Sequence, residues 1–172
     1  MNHSLSISPL VRAALMVRDL ERSRRFYQEL LGLAEHYLPA TDLTATIAWK
    51  LLGLPAGTPY RGTILKVPGP NYGMVGLFEI AAGCTSELVP PRERIALGES
   101  ILVFYCADLA RVLADLERYG GRLLAPPQRF EIAGSDAPPI TEVIVRDPDG
   151  FAVSLNDASP ALAFDDAPVS LG

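Results

Sequence analysis

"LVRAALMVRDLERSRRFY", residues 10–27, decides the fold of this chain. Val11, Ala13, Leu15 and Val17 alternate with Arg12, Ala14 and Met16, the period of a strand with two unlike faces. Asp19 stands where a helix N-cap belongs, its carboxylate free to accept from the unpaired amides of a first turn. Leu20, Tyr27, Leu30 and Leu31 then recur at helical spacing, and Gly32 supplies a left-handed stop. A second stretch, "SILVFYCADLARVLADLERYGG" at 100–121, repeats the order. Ile101, Val103 and Tyr105 alternate with Leu102, Phe104 and Cys106. Asp108 caps a helix carrying Leu109, Val112, Leu113 and Leu116 on one face, and Gly120-Gly121 end it.

The segments after each helix are repeated too. Behind the first come a strand at 33–40, a helix-like insertion "DLTATIAWKLLGLP", and strands at 62–68 and 73–81 joined by Pro68-Gly69-Pro70-Asn71. Behind the second come a short strand "RLLAPP", a loop "EIAGSDAPP", and a hairpin turning on Asp147-Pro148-Asp149-Gly150. The order strand, helix, strand, strand, strand therefore appears twice. The expectation is an α+β chain forming one domain of two modules, 9–82 and 99–157. A linker, 83–98, stiffened by Pro90-Pro91, joins them, and a tail covers 158–172. Each module covers one face of its sheet with its own helix. The remaining face must be covered by a second module or chain, and a ligand would sit there.

Composition bounds the function. The 172 residues are 49% hydrophobic and 20% charged, with net charge −5, which suits a packed core. No Lys/Arg stripe exists to neutralise phosphates, so no nucleic-acid partner is expected; "ERSRR" at 21–25 reads as a solvated helix face. No apolar run is long enough to span a membrane, and "MNHSLSISPL" has no basic region followed by an apolar core. Cys84 and Cys106 lack metal or disulfide spacing. A cytoplasmic protein without a membrane partner is the expectation.

The chain resembles the glyoxalase / bleomycin-resistance / extradiol-dioxygenase superfamily, the vicinal oxygen chelate group, over residues 9–157. The resemblance rests on "ALMVRDLERSRRFYQELLGL", "VFYCADLARVLADLERYGGRL" and "VRDPDGFAVSLND". It implies paired βαβββ modules forming a partly open mixed β-barrel around one small-molecule site, in a homodimer. It also implies chemistry at adjacent oxygens around a divalent metal held from the first and last strands of each module. Carried onto this chain, those four metal positions are Arg12, Glu79, Ile101 and Ser154, of which Glu79 alone is a usual ligand type. Arg12 has no lone pair to offer and Ile101 no donor. The expectation is therefore a degenerate metal site and no cofactor, with Glu79 the one residue through which a divalent metal would attach.

Strand alternation places Arg12, Ala14, Met16, Val75, Leu77, Glu79, Ile101, Val103, Tyr105, Ala152, Ser154 and Asn156 on the inner faces. Arg12 is read as paired with Glu79, or as gripping a carboxylate or enolate oxygen of the ligand. Glu79 is read as a general base if burial raises its pKa. Met16, Leu77, Ile101, Val103, Tyr105, Ser154, Asn156 and Trp49 complete the substrate-binding set. Three functions stay open: a metal-free isomerase or lyase, a non-catalytic protein sequestering a drug-like molecule, and a metal-dependent lactoylglutathione lyase-like or dioxygenase-like enzyme. The last would need atypical ligands such as Glu142 or Glu131.

Overall fold

The computed structural model describes residues 8–86, 93–131 and 139–158. Pro90-Pro91, most of the "EIAGSDAPP" loop and the tail beyond Ala158 lie outside the described residues. The chain divides into two compact units, Met1–Leu88 and Val89–Gly172.

The first unit begins with β1 (Arg12–Val17) and α1 (Leu20–Arg24), which continues as a π-helical turn over Arg25–Leu30. Asp19 caps the helix as the sequence predicts, its Oδ1 accepting from the Arg22 amide at 3.0 Å. The wider turn is closed by the Leu31 amide donating to the Phe26 carbonyl at 3.1 Å. Gly32, at φ 86°, turns the chain out of it. Then come β2 (Glu35–Asp42), a single helical turn α2 (Ala48–Leu51), β3 (Tyr60–Lys66) and β4 (Met74–Ile80). The sheet order is β1-β4-β3-β2, with β1 parallel to β4 and the other pairs antiparallel. Leu15, Val17, Val75 and Leu77 are buried on the face that α1 covers with Leu20, Phe26, Tyr27 and Leu30.

The second unit repeats the topology with β5 (Ile101–Tyr105), α3 (Leu109–Asp115), β6 (Arg122–Leu123), β8 (Ile140–Arg146) and β9 (Ala152–Asn156). Its sheet order is β5-β9-β8-β6. Asp108 caps α3 through the Arg111 amide at 3.0 Å, and Gly120, at φ 78°, ends the helical stretch. An unforeseen strand, β7 (Gln128–Phe130), pairs with β8. Its three residues are too few to show a period. The β8–β9 turn closes through Asp147, whose Oδ1 accepts from the amides of Asp149 at 2.9 Å and Phe151 at 2.8 Å. The α+β class and the doubled strand-helix-strand-strand-strand order are borne out.

One buried ion pair ties the second unit together. The Arg146 guanidinium, almost fully buried, pairs with Glu99 just before β5. It also donates to the carbonyls of Gly150 at 3.1 Å and Arg94 at 3.3 Å.

Candidate functional site

Arg12, Ala14 and Met16 lie on the first sheet's far side from α1 and are exposed, as the alternation of β1 requires. The parallel register sets Met74 beside Arg12, Gly76 beside Ala14 and Phe78 beside Met16. From β3, Tyr60, Gly62 and Ile64 join the same face. The Phe78 ring lies across it because two neighbours have no side chain. A Cβ at Gly76 would stand 2.7 Å from the ring, and a Cβ at Gly62 would also clash with it. Tyr60 stacks on Phe78 with centroids 5.6 Å apart. Leu43 and Ala48 of the insertion, with Leu38 and Ile80, pack against this aromatic cluster. Arg12 stays outside the cluster. Among the described residues it makes no ion pair or hydrogen bond. Burial pushes the Tyr60 phenol above its ordinary pKa, and the Arg12 charge pulls it part of the way back.

Glu79 is elsewhere. It pairs in register with Val17, on the face that α1 covers, so Glu79, Leu77 and Val75 point away from the Arg12 face. This corrects the expectation that those three residues line one surface with Arg12, and the expected Arg12–Glu79 ion pair does not form. Its partner is Arg61, directly opposite on β3, which donates from Nε to Oε1 at 3.0 Å and from Nη2 to Oε2 at 2.8 Å. The Leu20 amide at the start of α1 donates to Oε2 at 2.6 Å. The Arg61 hydrogen bonds hold the Glu79 carboxyl below the usual carboxylate range; burial opposes this and the Leu20 amide adds to it. Such a carboxylate is a weak base with both oxygens engaged. The cleft of about 380 Å³ that Arg61 and Glu79 line, with Asp42, Thr44 and Tyr60, thus has its strongest charges already paired with each other.

This pairing makes stability depend on pH. The folded-state pKa of Glu79 is depressed, so its pairing contributes stability above the unfolded carboxylate value of about 4.3. That contribution disappears as pH falls through the lower, folded value. Because Arg61 is half exposed, Glu79→Gln is expected to cost only about 1 kcal/mol at neutral pH. Urea unfolding should show that gap narrowing steadily as pH is lowered below the unfolded carboxylate value; a gap that does not change with pH would contradict the assignment.

In the second unit, Val103 and Tyr105 are exposed and Ile101 is half-buried, all on the face away from α3. The β5–β9 register sets Ala152, Ser154 and Asn156 beside them. The Ser154 hydroxyl donates to Oε1 of Glu142 on β8. Thus the carboxylate on this face belongs to Glu142, one strand away from the last-strand position carried over from the superfamily. Glu131 is exposed and has no part in this arrangement. Trp49 is half-buried on α2, with the Lys50 ammonium 5.2 Å from its ring centroid, while its neighbour Ala48 meets the aromatic cluster. Among the described residues, no three His, Cys, Asp or Glu side chains come together as metal ligands. No helix among them is long and apolar enough to cross a membrane.

Sequence reasoning missed Arg61, although a cation directly across an antiparallel pair from a carboxylate is a common stabilising arrangement. It also missed the Glu99–Arg146 pair, whose members stand 47 positions apart with no local pattern linking them.

A family model described as Glyoxalase/Bleomycin resistance protein/Dioxygenase superfamily matches residues 9–155. Among solved structures, the chain is similar to a glyoxalase family protein from Bacillus cereus, at 16% identity and TM-score 0.65, covering 90% of this chain and 95% of that one. It is similar to a glyoxylase/bleomycin resistance protein/dioxygenase domain from Frankia sp., at 21% identity and TM-score 0.53, covering 88% and 92%. It is also similar to the trypanothione-dependent glyoxalase I of Leishmania major, at 17% identity and TM-score 0.51, covering 87% and 86%. At these identities the likeness concerns the fold. No curated protein matches the chain.

Proposed function

The chain belongs to the Glyoxalase/Bleomycin resistance protein/Dioxygenase superfamily, and within it we propose a protein that binds a small, partly apolar molecule through a carboxylate or enolate oxygen. The observation that supports this is the Arg12 guanidinium, exposed on the Met16–Phe78 face with no partner among the described residues. A guanidinium presents a planar fork of donors that matches a carboxylate, and the apolar side chains beside it suit a hydrocarbon body.

Binding without turnover is favoured over catalysis because the proposed base is spent. Glu79 is tied to Arg61 and to the Leu20 amide, on the opposite face of the sheet from Arg12. The residues at the superfamily's metal positions do not fit a divalent ion. Arg12 is cationic, Ile101 has no donor, Ser154 is engaged with Glu142, and Glu79 is engaged with Arg61. No metal-dependent step is therefore assigned to this chain.

Benzoate serves as a probe, with benzyl alcohol as its neutral counterpart. Calorimetric titration is expected to show benzoate binding that weakens about tenfold in Arg12→Gln, the loss of one exposed charge-assisted contact. Glu79→Gln should leave it unchanged. Equal affinity for the two probes, or a loss confined to Glu79→Gln, would overturn the assignment.

A further inference from the structure

We propose that the far face of the second sheet binds an alkyl ammonium ion through Glu142 and Asn156, flanked by Tyr105 and Val103. Its elements are adjacent in the ladder: Asn156 on β9 stands directly beside Tyr105 on β5 and directly opposite Glu142 on β8, all on the face away from α3.

The decisive feature is an unused carboxamide. Asn156 is only 4% exposed, and its Oδ1 is buried without a hydrogen-bond partner. Its side-chain nitrogen also makes no hydrogen bond among the described residues. Buried amide oxygens are normally satisfied, so an orphan on a polar face marks a place where something else donates. The second acceptor is adjacent. Glu142 takes the Ser154 hydroxyl on Oε1, its Oε2 has no hydrogen bond, and it forms no ion pair among the described residues. The guanidinium groups of β8 and of its neighbour β7 are diverted. Arg146 is committed to Glu99, and Arg129 sits on β7 beside Thr141, whose side chain alternates to the other face from Glu142.

A carboxylate oxygen and a carboxamide oxygen, on directly opposed residues of two strands, call for a cation with several donors. Cβ atoms of such a pair lie about 5 Å apart, which lets one ammonium reach both oxygens. The flank defines the rest of the ligand. Val103 is 61% exposed and Tyr105 41% exposed, an apolar strip on the edge strand against which an alkyl chain can lie. The Tyr105 ring also offers its face to a cation.

The test uses the full chain and n-butylammonium, with n-butanol as the neutral isostere. In ¹H–¹⁵N spectra the Asn156 side-chain resonances are expected to shift saturably with n-butylammonium, and at least tenfold more weakly with n-butanol. Glu142→Gln should weaken the ammonium response at least tenfold. The unmodified chain alone decides the matter if Glu142→Gln does not fold. No saturable shift, an equal response to n-butanol, or a response to calcium chloride in place of the amine would each overturn the proposal.

Discussion

Glu99→Gln is expected to destabilise the protein by about 3–5 kcal/mol, the largest effect of any single polar substitution proposed for this chain. Arg146 is 1% exposed and its guanidinium faces Glu99. With the carboxylate neutralised, a full positive charge remains buried against two carbonyls, those of Gly150 and Arg94. Its Nε already lacks a partner. Carbonyl dipoles do not offset the desolvation of an ion, so the penalty falls on the folded state alone.

Thermal unfolding would read this as a drop of roughly 10 °C, since each kcal/mol moves a chain of this length by about 2–4 °C. The paired substitution Glu99→Leu with Arg146→Met separates charge from packing. Removing both charges is expected to recover most of the loss, because an apolar replacement of a buried pair is often nearly neutral. A loss under about 1 kcal/mol in Glu99→Gln would mean that solvent, and not Glu99, carries the charge of Arg146.

Local features of this fold are legible in its sequence, and features set by packing are not. Asp19, Asp108 and Asp147 can be read directly because capping and turn formation depend on side chains within four residues of the backbone groups they satisfy. The face of β1 is legible because a single arginine marks its polar side. The face of β4 is not. "MVGLFEI" is apolar on both sides, Met74 through Phe78 are all buried, and no alternation remains from which to read parity. A slip of one position therefore carries Leu77 and Glu79 to the wrong face, and with them the expected Arg12–Glu79 pair. In β9 the apolar positions Val153 and Leu155 alternate with Ser154 and Asn156, and there the inferred face is right. The π-helical turn at Arg25–Leu30 and strand β7 leave no periodic trace and depend on packing across the unit.

The parity of β4 has a measurable consequence in Leu77→Ala set against Met16→Ala. Leu77 is fully buried, pairs in register with Leu15 and Thr63, and faces the helix. Its truncation removes buried carbons from a face closed by α1, and the expected loss is about 2–5 kcal/mol. Met16 is 38% exposed on the opposite face, where its side chain can move without leaving a cavity. Its truncation should cost less than about 1 kcal/mol. Ligand affinity is expected to move the other way: Met16→Ala weakens benzoate binding beside Arg12, whereas Leu77→Ala leaves it unchanged wherever the chain is still folded. Chemical denaturation and calorimetric titration on the same two variants give both quantities. If the two losses of stability were alike, or if benzoate followed Leu77, then β4 would present Glu79 on the same side as Arg12.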